Sequence, residues 1–199
     1  GTTYSPATFA QSLGIDPADY VLLSSFTHHP FYEKFIIEVP DNWSWGEAYN
    51  VPIDEMRQLF RHALEEGYSI AWAADVSDPG FEFKKGLAIV PEGGWDAMTD
   101  YEKSRAFEEP VGQAIISQQM RQEAFDNYLT TDDHGMHIIG KASDQNGQIY
   151  YKVKNSWGTE DSKYHGYFYA SEAYILYKTV SFMLHRDAIP KNMQRKLGL

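Results

Sequence analysis

The stretch 134-HGMHIIGKASDQNGQIYYKVKNSWG-158 decides the fold, because it has the pattern of two strands joined by a tight turn. Residues 134–142 and 148–155 show the two-residue period of strands that have one buried face. Between them, Asn146-Gly147 is a strong signal for a hairpin turn, since both residue types tolerate positive φ. The stretch therefore predicts an antiparallel hairpin.

Two polar residues, His134 and Asn155, stand at the outer ends of this hairpin. Strands joined by a tight turn bring their outer ends together, so these two side chains are predicted neighbours. An amide oxygen can accept a hydrogen bond from one ring nitrogen and fix the tautomer of the imidazole, which leaves the other nitrogen to take a proton from a nucleophile. Trp157 is placed to shield that bond from water, which would strengthen it. Taken singly, each motif has an ordinary explanation: a surface histidine, or a turn with a core tryptophan.

The rest of the chain mixes helices and strands. A predicted helix begins at Ser5-Pro6; further helices are predicted over 52–66, 100–108 and 114–128, and strands over 32–40, 68–76, 167–170 and 178–186. Residues 77–98 are rich in Gly and Pro and predict an irregular excursion, so 77–130 forms an irregular or helical insertion before the His134 strand. Helix and strand come first and an antiparallel meander later. This order predicts one α+β domain over 1–199, with an antiparallel sheet or half-barrel and flanking helices.

Composition excludes several classes of function. The net charge of −11, from 28 acidic and 17 basic residues, argues against nucleic acid as a partner. No apolar run approaches the ~18 residues of a membrane span, and no signal peptide is visible. The count of 0 Cys excludes disulfides, thiolate metal sites and a thiol nucleophile within these 199 residues.

Other candidate sites are weaker. The pair His134 and His137 suggests a metal site, but residues three apart on a strand point to opposite faces. His28-His29 before Pro30 is interpreted as a solvated turn. No serine lies in a Gly-x-Ser-x-Gly elbow. The aromatic residues could form a sugar-stacking platform, although packing in a core is the simpler interpretation: Trp43, Trp45, Tyr49, Phe81, Phe83 and Trp95. No metal or cofactor is predicted.

The segments 134-HGMHIIG-140 and 153-VKNSWG-158 resemble the His and Asn motifs of papain-like cysteine peptidases. Within that family they are most similar to the branch of bleomycin hydrolase and aminopeptidase C. Residues 50–76, with Asp75-Val76, and the segment 186-RDAIP-190 resemble the same branch.

The resemblance implies the C-terminal half of a papain-like fold, with His134 and Asn155 as catalytic residues and Trp157 in support. In that family the nucleophilic Cys lies on a helix ~130–150 residues before the His, which here falls outside the chain. The chain alone is therefore expected to be inactive. The resemblance further implies a peptide substrate, aminopeptidase-type activity, a possible homo-oligomer and a cytoplasmic location, with secretion left open. The alternatives are a non-catalytic binding module and a pseudoenzyme that has lost its Cys.

Overall fold

The computed structural model describes all 199 residues and has a ten-stranded sheet with six α-helices. The strands are β1 Tyr20–Ser24, β2 Lys34–Ile36, β3 Glu47–Asn50, β4 Ile70–Ala74, β5 Phe81–Glu82, β6 Leu87–Ala88, β7 His134–Ser143, β8 Ile149–Lys154, β9 Tyr167–Ser171 and β10 Thr179–His185. The helices are α1 Pro6–Ser12, α2 Ile53–Glu65, α3 Asp100–Arg105, α4 Gln118–Asp126, α5 Glu172–Lys178 and α6 Lys191–Leu197. No helix is both long enough and apolar enough to cross a membrane.

The sheet confirms the α+β prediction and its antiparallel meander. Its strand order is β2-β3-β1-β10-β4-β7-β8-β9-β6-β5. Strands β7, β8 and β9 pair in sequence, and β4 and β10 extend the antiparallel region on the other side of β7. Two pairs of strands toward the edges of the sheet, β1 with β3 and β6 with β9, are parallel, and the sequence did not predict these pairings. The strand that carries His134 therefore lies near the middle of the sheet.

Helix α2 packs one face against the sheet, as its sequence predicts. Ile53, Met56, Phe60 and Ala63 are all buried. The ring of Phe60 lies 4.7 Å from the ring of Phe182 on β10. Burying a side chain of this size contributes about 1.5–3 kcal/mol, so this apolar stripe is sufficient to hold the helix on the sheet.

Several predicted elements are shorter than the sequence pattern indicates, including the helix over 100–108, which ends at Arg105, and the strand over 68–76, which is limited to β4. The strand predicted over 32–40 is limited to β2. The helix predicted over 114–128 begins only at α4, because the Ser117 hydroxyl caps the N–H of Met120. The apolar residues with helical spacing in this segment are only partly buried: Ile116 and Ala124 are inside, whereas Met120 is 39% and Tyr128 84% exposed. The buried side of α4 instead carries Arg121, Gln122 and Ala124.

Other elements were missed altogether. Within 77–98 the short strands β5 and β6 form a hairpin that joins the sheet through β9. Helix α5 follows β9 without a break and is buried on nearly all sides, so its sequence lacks the polar face of an amphipathic helix. Helix α6 is a second helix that was not predicted. Strands β1 and β3 were also absent from the sequence prediction.

Candidate active site

The hairpin places His134 and Asn155 side by side. His134 is the first residue of β7, and Asn155 follows the last residue of β8. The backbone N–H of Asn155 donates to the carbonyl of Gly166, which fixes the chain just before β9. His134 is also the register partner of Ala74 on β4. Pairing with β4 therefore positions His134, and the backbone bond to the residue before β9 positions Asn155.

A short hydrogen bond joins the two side chains. The Nε2 atom of His134 lies 2.7 Å from Oδ1 of Asn155. The same oxygen accepts the backbone N–H of Ser156 at 2.8 Å, which identifies it as the acceptor end of the amide. Nε2 must then carry the proton and donate it, so the neutral imidazole leaves Nδ1 as its basic nitrogen. Asn155 is only 7% exposed, and this burial protects the bond from competing water.

Trp157 lies against the imidazole. The two ring centroids are 4.8 Å apart, with 31° between the ring planes. The indole is itself held edge-on by Phe81 and Phe83, at centroid distances of 5.7 Å and 5.3 Å. Trp157 is itself 50% exposed and His134 is half-buried, so the indole covers the imidazole at the surface of the molecule.

Two carboxylates precede the histidine and behave in opposite ways. Partial burial, followed by repulsion from Asp41 and Asp133, raises the pKa of Asp132 above its ordinary value of 3.8. Partial burial also acts to raise the pKa of Asp133, but hydrogen bonds from Thr131 and from backbone N–H groups outweigh it and lower that pKa. The folded structure therefore stabilises the ionised carboxylate of Asp133 and destabilises that of Asp132.

Some of the site's neighbours were not found by sequence reasoning. Phe81 and Phe83 lie in the predicted irregular excursion, yet Phe83 is 9% exposed and both rings contact Trp157. Lys178 is 2% exposed and lies between the side chains of Asp75 and Asp78. The available signal was its place directly after the apolar run 173-AYILY-177, since a lysine among buried residues needs an anionic partner.

The proposed aromatic platform does not form. Trp43 and Trp45 are 84% and 71% exposed, in a turn held by the side chain of Asn42. Trp95 instead stacks on Phe107 in a separate part of the molecule. The aromatic residues named together in the sequence are thus dispersed.

Histidines elsewhere are arranged as a hydrogen-bonded cluster. The Nε2 atoms of His28 and His29 lie 3.5 Å and 3.2 Å from the two carboxylate oxygens of Glu38. The amide of Gln122 is oriented by the backbone N–H of Thr27, which its oxygen accepts, so its nitrogen donates to Nδ1 of His28 at 3.0 Å. Nε2 of His28 therefore holds a proton, whereas a metal ion needs that lone pair free. This arrangement of donors and acceptors favours hydrogen bonding over metal ligation in the cluster of His28, His29 and Glu38.

His134 and His137 are separated by the pleat. Both belong to β7, where His137 is exposed while Met136 and Ile138 on either side of it are buried. His134, two residues before Met136, lies on the face opposite to His137. The two imidazoles are therefore not directed at one point.

With this geometry described, the chain can be compared with known proteins. The sequence profile of the Peptidase C1-like family matches residues 2–198. The chain belongs to this family. No curated protein matches it.

One solved structure has the same fold as this chain, and two others are similar over part of it. The crystal structure of PepW from Lactobacillus rhamnosis HN001 is 19% identical, with a TM-score of 0.69, and matches 96% of this chain. The chain spans only 40% of the length of PepW. The ragweed pollen allergen Amb a 11, a cysteine protease in its proform, is 16% identical over 66% of this chain and 30% of its own, with a TM-score of 0.35. Bromelain from Ananas comosus, in complex with the E64 inhibitor, is 18% identical over 64% of this chain and 44% of its own, with a TM-score of 0.33.

Proposed function

We propose that this chain is the part of a papain-like cysteine peptidase that carries the general base and the amide that orients it, folded as a single domain over 1–199. The observation that carries the proposal is the 2.7 Å contact between Nε2 of His134 and Oδ1 of Asn155. An amide oxygen already oriented by the N–H of Ser156 holds the imidazole in one tautomer, with Nδ1 available as a base.

The nucleophile in this proposal lies outside the 199 residues, which include 0 Cys. The match to 40% of PepW leaves room for a further segment to supply it. A Cys thiol there gives its proton to Nδ1 of His134, and the resulting thiolate attacks the carbonyl carbon of the scissile peptide bond. The imidazolium then protonates the leaving amine, and water hydrolyses the acyl-thioester.

Asn155 and Trp157 act in this scheme without touching the substrate. Asn155 keeps the imidazole oriented through both steps, since Nε2 donates to the same oxygen in the neutral and the charged ring. Trp157 packs against the ring and limits the access of water to that bond. The proposed substrate is a peptide, cleaved in aminopeptidase fashion, and the proposed partner of this chain is the Cys-bearing half. Assembly into a homo-oligomer is part of the same proposal.

The first test uses the complete protein. His134→Ala should lower kcat by about 10²–10⁴-fold, because general acid–base catalysis by one positioned side chain has this size. His137→Ala is the matched control, because His137 lies on the same strand and points to the opposite face. Equal activity in the His134→Ala variant and the parent protein would contradict the proposal, as would loss of activity in the control.

The second test uses the chain alone, which should not turn over fluorogenic aminoacyl or peptidyl substrates. Turnover that persists after thiol alkylation and copurifies with the chain would contradict the proposed division of the active site. The upstream sequence separates the alternatives. A Cys in a papain-like context supports the peptidase, Ser or Gly in its place supports a pseudoenzyme, and a start codon next to Thr2 supports a binding module.

A further inference from the structure

A buried ammonium group lies next to the turn that leads into the His134 strand. Lys178 is 2% exposed, and its Nζ lies 2.7 Å from Oδ2 of Asp78 and 3.4 Å from Oδ2 of Asp75. It also donates to the backbone carbonyl of Leu129. The ammonium thus makes two hydrogen bonds, to Asp75 and Leu129, and a close ion pair with Asp78. Such a group is costly to bury, and it is retained only where its partners are well placed.

The acceptors belong to two different turns, which Lys178 ties together. One is the turn of residues 75–78 that leaves β4, and the other is the segment 129–133 that leads into β7. Further bonds join the same two turns. Oδ2 of Asp75 accepts the N–H of Thr131 at 3.3 Å, and Oδ2 of Asp133 accepts the N–H groups of Val76 and Ser77 at 3.3 Å and 3.2 Å.

His134 is the next residue after the second turn, and its register partner Ala74 is the last residue before the first. The turns joined by Lys178 therefore determine where the β7 backbone begins. Asn155 is fixed separately, by the N–H bond to Gly166. A 2.7 Å hydrogen bond tolerates little displacement of either end, so its length depends on both anchors.

We infer that Lys178 is a positioning residue for His134: by joining the 75–78 and 129–133 turns, it holds the imidazole at hydrogen-bonding distance from Asn155. This rests on the proposed function only in taking His134 as the base. Lys178 itself does not contact the imidazole, and its effect is transmitted through the backbone. Without the ammonium, the link from Asp75 and Asp78 to the carbonyl of Leu129 in the other turn is lost, and the two carboxylates are left without a counter-ion.

The experiment follows the ring proton of His134 by NMR in the chain alone. Bound to Asn155, the Nε2–H exchanges slowly with water and the two ring nitrogens show one tautomer; the resonance is assigned by its loss in His134→Ala. Lys178→Met should speed this exchange by roughly tenfold, by analogy with the roughly 10–100-fold losses of metal affinity or activity on removal of residues that orient a histidine ligand. Lys178→Arg, which keeps the charge, should recover part of the protection.

Two controls separate positioning from general stability. Lys141→Met removes a lysine from β7, the strand that carries His134, and breaks only the exposed salt bridge to Glu65. The exchange rate of the ring proton should therefore be unchanged. Met193→Ala removes buried volume from α6 and should lower the melting temperature without changing the ring proton. If Lys178→Met does not fold, adding Asp78→Asn removes one of the two carboxylates left without a counter-ion and keeps an oxygen for the Gly80 N–H.

The outcomes are distinct. A folded variant without the ammonium and with a normally protected ring proton would overturn the inference. So would equal loss of protection in the destabilised Met193→Ala variant. Because the measurement does not use activity, it stays informative if the complete protein proves inactive, whereas the His134→Ala assay tests the proposed function by itself.

Discussion

The two ends of the β7–β8 hairpin are held in different ways. At the turn end, the bonds are local: Oδ1 of Asp144 accepts the N–H groups of Asn146 and Gln148, both at 2.9 Å, and the backbone of Asp144 bonds to Gly147 and Gln148. At the site end, the anchoring contacts come from residues more than 45 positions away, such as Lys178 to Leu129 and Asp75 to Thr131. The turn is thus specified locally, and the site is specified by the assembled fold.

This difference predicts that the two ends respond differently to substitution. Changes at the turn should alter the free energy of unfolding and leave the imidazole where it is. Changes at the site end should alter the position of His134 as well as stability. The predictions that follow test this contrast, in decreasing order of expected effect.

Asn155→Ala should have the largest effect. It removes the acceptor for both His134 and the N–H of Ser156, at a position that is 7% exposed. We expect a loss of about 1–3 kcal/mol in the free energy of unfolding, because buried groups are left unpaired. In the proposed complete peptidase, kcat should fall roughly 10–100-fold, by analogy with residues that orient histidine ligands. Asn146→Ala at the turn is the control, and an equal effect of the two changes would remove the contrast.

Trp157→Ala should follow. The indole contacts the imidazole and the rings of Phe81 and Phe83, and pairs of this kind contribute about 0.5–1.5 kcal/mol each. Since the side chain is 50% exposed, we expect a total loss of about 1–2 kcal/mol in denaturant unfolding. Trp43→Ala, at an 84% exposed position, should stay within about 0.5 kcal/mol of the parent. Unchanged exchange of the His134 ring proton in Trp157→Ala would show that the indole does not shield the bond.

Gly147→Ala tests the turn end alone. Gly147 has φ of 80°, and a Cβ added there would meet no atom within 4 Å. The cost is therefore limited to the backbone, about 1 kcal/mol for a left-handed conformation. Thermal unfolding should detect this loss, while the ring spectrum of His134 should be identical to that of the parent. A changed spectrum would mean that strain at the turn reaches the site along the strands.

The smallest effects are expected at the two aspartates before His134, with opposite signs. The pKa of Asp133 is lowered in the folded chain, so its ionised form stabilises the fold above the ordinary value of 3.8, and this contribution is lost as pH falls through the lowered pKa. Asp133→Asn should lower the melting temperature at pH 7. The pKa of Asp132 is raised, so its contribution to stability is present below 3.8 and lost as pH rises through the folded pKa.

Asp132→Asn should therefore raise the melting temperature at pH 7 by a small amount. Both differences should shrink as the pH of the unfolding experiment is lowered toward about 3, where the carboxyl groups take up protons. The two variants serve as controls for each other, since they are neighbours in the same segment. A change of the melting temperature in the same direction for both variants at pH 7 would contradict the opposite effects assigned to the two carboxylates.

The sequence predicted what depends on local pattern. The period of two and Asn146-Gly147 predicted the hairpin, and the hairpin predicted the contact between His134 and Asn155, which the structure shows at 2.7 Å. The same reasoning predicted a helix over 52–66, and α2 covers Ile53–Glu65. In each case neighbouring residues carry the whole signal.

What the sequence did not predict depends on distant partners. Phe81 and Phe83 have the surroundings of a loop, and only the pairing of β6 with β9 brings them to Trp157. Arg121 is a charged residue on the buried side of α4. It is fully buried, and its guanidinium donates hydrogen bonds to the backbone carbonyls of Ser25 and Leu176. No local period could show that these positions lie inside the molecule.

The separate anchoring of the hairpin turn also makes it a convenient point of attachment for a probe. Gln145 is exposed, and its side chain makes no hydrogen bond in a turn whose geometry rests on Asp144. With 0 Cys in the chain, Gln145→Cys would supply the single thiol, and a fluorophore or spin label could be attached to it without first replacing any native cysteine. A label there would sit at the far end of the two strands that carry His134 and Asn155, and could report the binding of a second protein half by energy transfer while leaving the imidazole undisturbed.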